Sequence, residues 1–205
     1  MSVITICNEF GTDSEKVASH TAERLGYEYI GERLISQIAG ELHVSESEAV
    51  MFRKTAQSRI LRFVDRYTCS LVQKVVDREY GCLDDKNYYD STKKLVQNVY
   101  EAGNAIILGW GGQCILRGKP DALHVRLIKN EDTKVKELMA VRNLDLRAAK
   151  GIIEREEGDS KAYIAHYFQE DWNAAHLYDL IVDMGKTPLQ KAVDLICDNL
   201  KHKAR

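Results

Sequence analysis

The residues best suited to chemistry follow a short apolar run at positions 3–7 and precede a helical pattern that ends at Leu25. They are Gly11, Thr12, Asp13, Ser14, Glu15 and Lys16. A strand, a glycine-containing loop and a helix start, in this order, are typical of a phosphate-binding loop, because N–H groups at the helix start can hold an anion. The standard pattern G-x-x-x-x-G-K-[ST] has a second glycine and an adjoining lysine that this loop does not have. The scaffold therefore predicts nucleotide binding with altered chemistry around the phosphates.

The charged side chains of this loop have opposite expected effects on phosphate binding. A carboxylate about 6 Å from a phosphate charge costs roughly 3 kcal/mol at an effective dielectric constant near 20, so Asp13 and Glu15 both disfavour phosphate. Lys16 can offset one of them, although it lies one turn into the helix. The alternative interpretation is an ordinary helix N-terminus whose acidic residues suit the helix dipole. The residues alone leave both interpretations open.

The elements that position this loop alternate between strands and helices. Short apolar runs predict strands at 3–7, 27–30, 105–108, 123–128 and 178–183. Apolar residues at helical spacing, with capping residues such as Ser14 and Asn130, predict helices at 14–25, 58–79, 84–102, 130–142, 146–157 and 160–169 and after Pro188. This alternation predicts a mainly parallel sheet covered on both faces, with ligands bound beyond the carboxyl ends of its strands.

Composition excludes several classes of protein. The 205-residue chain is 44% hydrophobic with a net charge of −2, which suits one domain with an inserted lid or arm and gives no basic field for nucleic acid. Its apolar runs are too short to span a membrane, and its first residues lack the basic stretch of a signal peptide. The five cysteines are scattered without a C-x-x-C pair, and no two histidines form an i, i+4 pair, so we predict no metal site and a cytoplasmic location.

Several separated segments, in the same order, resemble those of the cytidylate-kinase-like proteins. They are Ile4-Thr5-Ile6, Glu9-Phe10-Gly11, 22–27, Leu34-Ile35, 105–120, 163–172 and 178–180. The resemblance implies a three-layer P-loop NTPase-like α/β fold and a kinase that uses ATP with Mg²⁺. It also implies one domain over 1–205, with a core at 1–31, 103–150 and 176–205, a helical acceptor-side insert at 32–102 and a lid at 151–175.

The resemblance further implies an acceptor site around Gly109, Trp110 and Gly111. In the family an arginine normally follows the first glycine and contacts the acceptor's phosphates, whereas this chain has Trp110. An indole can stack on a base but carries no charge to neutralise phosphate. Trp110 is therefore either a stacking platform or an aromatic plug in an emptied pocket. Arg33 and Arg142 are the cations expected on the acceptor side.

The lid of the family has an arginine, an aspartate-serine pair and a second arginine. Arg155, Asp159 and Ser160 match this pattern, and Lys161 lies next to the position of the second arginine. Lid cations stabilise the charge on a transferred phosphoryl group, so the resemblance implies a catalytic set of Lys16, Arg155, Asp159 and Lys161. The alternative is a solvated charged helix pair.

Three hypotheses on function follow from the sequence. The first is a nucleoside-monophosphate-kinase-type phosphotransferase that moves the ATP γ-phosphoryl group to a small acceptor. The second is a catalytically impaired relative that binds a nucleotide or another anion as a sensor. The third is an interaction protein that forms a homodimer through the 58–79 helix, whose apolar residues include Ile60, Leu61, Phe63, Val64 and Leu71.

Overall fold

Five parallel strands form the centre of the protein in the computed structural model, which describes residues 1–31 and 85–203. The strands are β1 (Val3–Asn8), β2 (Glu28–Ile30), β3 (Ala105–Leu108), β4 (Ala122–Ile128) and β5 (Leu180–Asp183). Their order across the sheet is β2-β3-β1-β4-β5. The 58–79 helix, Arg33 and most of the proposed insert lie outside the described residues, so the dimer and the insert stay predictions.

The central strand β1 sets the place of the site. It pairs with β3 on one side, with Ile6 opposite Leu108, and with β4 on the other. The backbone N–H of Gly109 also donates to the carbonyl of Ile6 at 3.0 Å. The loops that follow β1 and β3 therefore leave the sheet side by side at its carboxyl edge, which is where open α/β sheets bind ligands.

Helices cover both faces of the sheet, which confirms the predicted α/β class. Numbered within the described residues, they are α1 (Ser14–Leu25), α2 (Asp85–Ala102), α3 (Gly112–Ile115), α4 (Glu131–Arg142), α5 (Leu146–Phe168) and α6 (Leu189–Lys203). Successive strand residues point to opposite faces: Ile4 and Ile6 pack with α1 and α6, whereas Val3 and Ile107 pack with α2. None of the described helices is long and apolar enough to cross a bilayer.

Helix α5 is one continuous helix from Leu146 to Phe168, although the sequence predicts two pieces that break near 158–159. Gly158 stays in the helix, and nothing lies within 4 Å of a Cβ added to it. Its only cost to the stability of the helix is therefore the weak helix propensity of glycine. The Ser160 hydroxyl donates back to the Glu156 carbonyl at 3.3 Å, which lets a residue that often caps a helix remain inside one. The first half of α5 packs on α4, and its second half reaches the end of β1.

The end of α5 packs closely on Gly111, in the turn after β3. A Cβ atom added to Gly111 would lie 2.6 Å from Cε2 of Phe168 and 3.3 Å from Cδ1 of Ile164. Gly111 also has a φ of 65°, in the left-handed region that favours glycine. The contact therefore joins α5 to the turn and permits no side chain at this position.

Gly111→Ala should destabilise the protein more than Gly118→Ala. Gly118 also has a positive φ, of 77°, but nothing lies within 4 Å of an added Cβ. Both variants carry the left-handed strain of about 1 kcal/mol, and only Gly111→Ala adds overpacking of about 1–3 kcal/mol. The free energy of unfolding from urea titrations measures both losses. Equal losses would show that Phe168 does not pack on Gly111 as described.

Candidate active site

The loop after β1 has two residues in the left-handed region, and only one of them is a glycine. Gly11 has a φ of 72° and Asp13 a φ of 50°, so Asp13 takes a left-handed conformation that aspartate tolerates better than most residues. Thr12 is buried between them, and its hydroxyl donates to the Glu9 carbonyl at 2.8 Å. Where left-handed residues alternate with right-handed ones, successive backbone N–H groups can point into one concavity, and backbone of this kind binds anions in other proteins.

Asp13, and not the predicted Ser14, is the N-cap residue of α1. Its carbonyl accepts from the N–H groups of Lys16 at 3.0 Å and Val17 at 3.1 Å, and its carboxylate makes no capping hydrogen bond. The left-handed backbone of Asp13 already begins the first turn, so Ser14 becomes the first helical residue and its hydroxyl is not needed as a cap. Gly11, Thr12, Asp13, Ser14 and Glu15 thus line the start of α1.

Lys16, the cation expected to serve the loop, lies on its solvent side. Its Nζ is 2.9 Å from Oδ1 of Asp13, and both side chains are more than half exposed. An exposed ion pair of this kind contributes about 0–1 kcal/mol, so the pairing restrains Lys16 only weakly. Reorientation of Lys16 toward the loop is therefore inexpensive.

Buried cations lie behind the loop and were not predicted from the sequence. Arg126 on β4 and Lys134 on α4 are almost fully buried, and both contact the carboxylate of Glu9, at 3.2 and 3.1 Å. The backbone N–H of Lys129 donates to the same carboxylate at 3.0 Å, and its Nζ donates to the Gly11 carbonyl at 2.8 Å. The Glu9 carboxylate thus contacts three basic residues, Arg126, Lys129 and Lys134.

These contacts shift the pKa values of Glu9 and Lys134. Partial burial alone would raise the pKa of Glu9, but the hydrogen bonds from Lys129, Lys134 and Arg126 hold it below its usual range. Burial alone would lower the pKa of Lys134, but its hydrogen bonds to Glu157 and Glu9 raise it. Both groups are therefore charged at neutral pH.

Glu157 of α5 closes this network from the other side of the loop. Its Oε1 accepts from Nζ of Lys134 at 2.6 Å and from the backbone N–H of Phe10 at 3.3 Å. Its Oε2 lies 3.4 Å from Nζ of Lys161. Glu157 therefore binds a loop N–H and a buried lysine together, the two kinds of group that hold a phosphate in a P-loop.

The turn after β3 has three consecutive residues with positive φ: Gly109 at 90°, Trp110 at 54° and Gly111 at 65°. A tryptophan in the left-handed region is strained by about 1–2 kcal/mol. Trp110 is buried in the core cluster on the α2 face, and its carbonyl lies 3.4 Å from the hydroxyl of Tyr163. The indole thus packs under the turn and lines the cavity beside it.

A cavity of about 550 Å³ lies between the loop, the turn after β3 and helix α5. Its aromatic lining residues are Phe10, Tyr29, Trp110, Tyr163 and Trp172, and its carboxylates are Glu15, Glu156, Glu157 and Asp159. The polar residues Asn8, Ser14, Gln113 and Ser160 also line it. The volume lies within the usual range for small-molecule sites.

The structure brings only part of the predicted set to this cavity. Asp159 lines it, whereas Lys161 lies behind it with Nζ 5.4 Å from the centre of the Trp172 ring. Arg155 is exposed and pairs with Glu156 at 3.6 Å. Arg142 is exposed in the last turn of α4 and does not line the cavity. Among the described residues, no group of histidine, cysteine and acidic side chains is placed to hold a metal ion.

One signal for the unpredicted cations was present in the sequence. Arg126 lies in a buried strand whose other residues, apart from His124, are apolar, and a buried arginine requires acceptors. Its guanidinium donates to the carbonyl of Trp172 and to Oδ1 of Asn173, and its carbon Cζ lies 4.2 Å from the centre of the Trp172 ring. Lys134 carried no such signal, because lysine is common on helices.

The sequence profile of the cytidylate kinase-like family matches residues 3–186. The chain belongs to the cytidylate kinase-like family. This result confirms the resemblance found in the sequence, over a span that includes the loop, the turn after β3 and helix α5. A search of curated proteins found no match.

Solved structures support the fold of this family member. An uncharacterized protein from Eubacterium ventriosum is similar with a TM-score of 0.64 and 18% identity, over 98% of this chain and 99% of that one. A shikimate kinase from Bacteroides thetaiotaomicron has a TM-score of 0.51 and 11% identity, over 98% of each chain. A shikimate kinase from Acinetobacter baumannii, in complex with shikimate, has a TM-score of 0.50 and 9% identity, over 98% of this chain and 94% of that one. At these identities the likeness shows a shared fold.

Glu9→Gln should destabilise the protein by about 3 kcal/mol at pH 7, because it leaves buried Arg126 and Lys134 with less compensating charge. The pKa of Glu9 is lowered on folding. The contribution of Glu9 to stability is therefore present above about pH 4.3, the ordinary pKa of glutamate. It is lost as the pH falls through the lower pKa that Glu9 has in the folded protein. Denaturant titrations at pH 7 and below pH 4 should show the difference between wild type and variant shrinking in acid.

The matched control is Glu23→Gln, an exposed glutamate of α1, which should change stability by less than about 0.5 kcal/mol. A Glu9→Gln protein as stable as this control would contradict the buried charge network.

Proposed function

We propose that the protein is an ATP-dependent phosphotransferase that moves the γ-phosphoryl group of ATP to a small acceptor. The observation that carries the proposal is the meeting of three features at the carboxyl edge of β1 and β3. They are the left-handed loop at Gly11 and Asp13, the cavity of about 550 Å³ and helix α5, which borders that cavity. Phosphoryl transfer requires positioning and positive charge more than a covalent nucleophile.

In this proposal the ATP phosphates lie against the N–H groups of the 11–15 loop, and Lys134 lies behind the loop. The stem of Lys134 lies 3.8 Å from the position of a Cβ on Gly11. The lid corresponds to 151–175, from which Arg155 and Lys161 would meet the transferred group. Mg²⁺ would be held mainly by the nucleotide and water, because no described cluster is placed to bind it. In this proposal of a cytoplasmic enzyme the acceptor enters along Gly109–Gly111, and Arg33 and Arg142 stay its predicted cations.

A specific observation also supports a second candidate, a nucleotide- or anion-binding sensor of the same fold without turnover. Glu9 and Glu157 neutralise Arg126 and Lys134, and Lys16 is paired with Asp13. Positive charge already paired within the protein stabilises a developing negative charge less than free charge does. This candidate predicts saturable ATP binding without product.

Lys16→Ala and Arg155→Ala should each lower turnover by about a hundredfold or more, the usual cost of removing one group that stabilises the transferring phosphoryl. Purified protein would be incubated with ATP, Mg²⁺ and nucleoside monophosphates, CMP and dCMP first, with products separated by chromatography. Lys136→Ala, an exposed lysine of α4 outside the cavity lining, is the matched control and should keep the wild-type rate.

Near-normal rates in both Lys16→Ala and Arg155→Ala would contradict the catalytic proposal. Wild-type protein that binds ATP but gives no phosphorylated product from any acceptor would favour the sensor.

A further inference from the structure

Glu157 is the buried member of the carboxylates that line the cavity. In the described structure these carboxylates are Glu15, Glu156, Glu157 and Asp159. Glu157 is 8% exposed, whereas the side chains of the other members are exposed to solvent. A buried carboxylate is costly unless charged or hydrogen-bonding partners compensate it. The position of the Glu157 carboxylate therefore marks a place where the protein accepts a negatively charged group.

The partners of Glu157 are donors that can also hold a phosphate oxygen. Its Oε1 accepts from Nζ of Lys134 at 2.6 Å and from the backbone N–H of Phe10 at 3.3 Å. Backbone N–H groups of a loop and a lysine ammonium group are the donors with which P-loops hold phosphate. A single oxygen that accepts from both kinds of donor has the contacts of one phosphate oxygen. The Glu157 carboxylate thus has the contacts of an internal anionic ligand.

Glu157 also lies between Lys134 and the cavity. Glu157 and Phe10 line the cavity, whereas Lys134 does not line it and is only 5% exposed. An oxygen of a ligand that enters from the cavity therefore reaches Nζ of Lys134 only after the Glu157 carboxylate moves away. Such a ligand and Glu157 compete for the same two donors.

The charges behind Glu157 favour an anion in its place. Lys134 contacts Glu9 as well as Glu157, and Glu9 also contacts Arg126. When Glu157 withdraws, Lys134 keeps only a carboxylate that it shares with Arg126. Buried positive charge with too little compensation is costly. A phosphate group restores the missing negative charge, which a neutral ligand cannot do.

Lys161 offers the displaced carboxylate a second position. Oε2 of Glu157 lies 3.4 Å from Nζ of Lys161, which is one turn further along α5 and about half exposed. A rotation of the Glu157 side chain toward Lys161 breaks its contacts with Lys134 and Phe10 and keeps one ion pair. Displacement of Glu157 therefore leaves its charge compensated and requires no break in helix α5.

We propose that the Phe10 N–H and Nζ of Lys134 form a phosphate subsite, which Glu157 fills in the free protein and the terminal phosphate of ATP fills in the complex; this inference rests on the proposed function. On binding, a phosphate oxygen takes over the two hydrogen bonds, and the Glu157 carboxylate turns to Lys161. The apparent affinity for ATP is then the intrinsic affinity multiplied by the fraction of molecules in which Glu157 has left the subsite.

Glu157→Gln tests this competition, because it keeps the shape of the side chain and removes the charge that competes with phosphate. Calorimetry on the full chain, with Mg²⁺ and a non-hydrolysable ATP analogue, measures the affinity. We expect the variant to bind the analogue about tenfold or more tightly than the wild type, since the competent fraction rises. An affinity equal to or weaker than that of the wild type would overturn the subsite.

The matched control is Glu156→Gln, which removes the same charge from the same cavity lining. Glu156 is exposed and lies 3.6 Å from Arg155, so its charge acts on the ligand through solvent. The control should tighten binding by less than about threefold, as a Coulomb interaction in high dielectric implies. Equal gains in the two variants would overturn the subsite, because the overall charge of the cavity would then explain both. Circular dichroism checks that both variants fold.

The wild-type chain gives a second test that does not depend on how a variant folds. In the ¹⁵N- and ¹³C-labelled protein, the ATP analogue should shift the Phe10 amide and the side-chain carboxyl carbon of Glu157 saturably and with one midpoint. Both groups exchange their hydrogen-bond partners when phosphate replaces the carboxylate. Shifts of the amides of Gly11 to Glu15 without any shift at Phe10 and Glu157 would overturn the subsite.

The outcomes separate this inference from the proposed function. Phosphorylated product with no gain in affinity in Glu157→Gln supports the phosphotransferase and overturns the subsite. Tighter binding by Glu157→Gln, with no product from either protein, supports the subsite and overturns the transfer reaction. Neither a gain in affinity nor any product overturns both.

Discussion

The charge network around Glu9 is the constraint on which the rest of the site depends. Burying Arg126 and Lys134 in the protein interior costs several kcal/mol per ion unless each finds an opposite charge and hydrogen-bond acceptors. Glu9 supplies the charge to both and also accepts the N–H of Lys129. Since Glu9 belongs to the loop itself, the loop must follow one path for these cations to be satisfied. These internal charge contacts therefore hold the loop in its shape.

The same network joins the loop to helix α5. Lys134 contacts Glu9 and Glu157 together, and Glu157 also accepts from the loop at Phe10. Any movement of α5 away from the loop separates Glu157 from these two donors. Unless a ligand or water replaces Glu157, the Phe10 N–H then loses this acceptor and Lys134 keeps only Glu9. An anion at the loop can supply that replacement. Binding of an anion at the loop would therefore be coupled to the position of α5 through the Glu157 carboxylate.

Local patterns in the sequence predicted the parts of the fold that depend on neighbouring residues. The apolar runs gave the five strands within one or two residues, and Asn130 caps α4 as expected, accepting from Asp132 at 3.0 Å. Two local predictions were wrong. Ser14 does not cap α1, because the left-handed backbone of Asp13 already begins the first turn. Helix α5 is not broken into two pieces, because the Ser160 hydroxyl bonds to a carbonyl within the helix. The Glu9–Lys134 contact joins residues 125 positions apart, and no local pattern can predict such a pairing. Arg126, in a mostly apolar strand, was a local signal of the network.

The central claim is that the 11–15 loop holds the phosphates of ATP. The most direct measurement is an NMR titration of the ¹⁵N-labelled chain with ATP and Mg²⁺, followed through the backbone amides. We expect saturable shifts of the amides of Gly11 to Glu15, because their N–H groups would exchange water for phosphate oxygens. Saturable shifts confined to other parts of the chain, or no shifts at millimolar ATP, would contradict it.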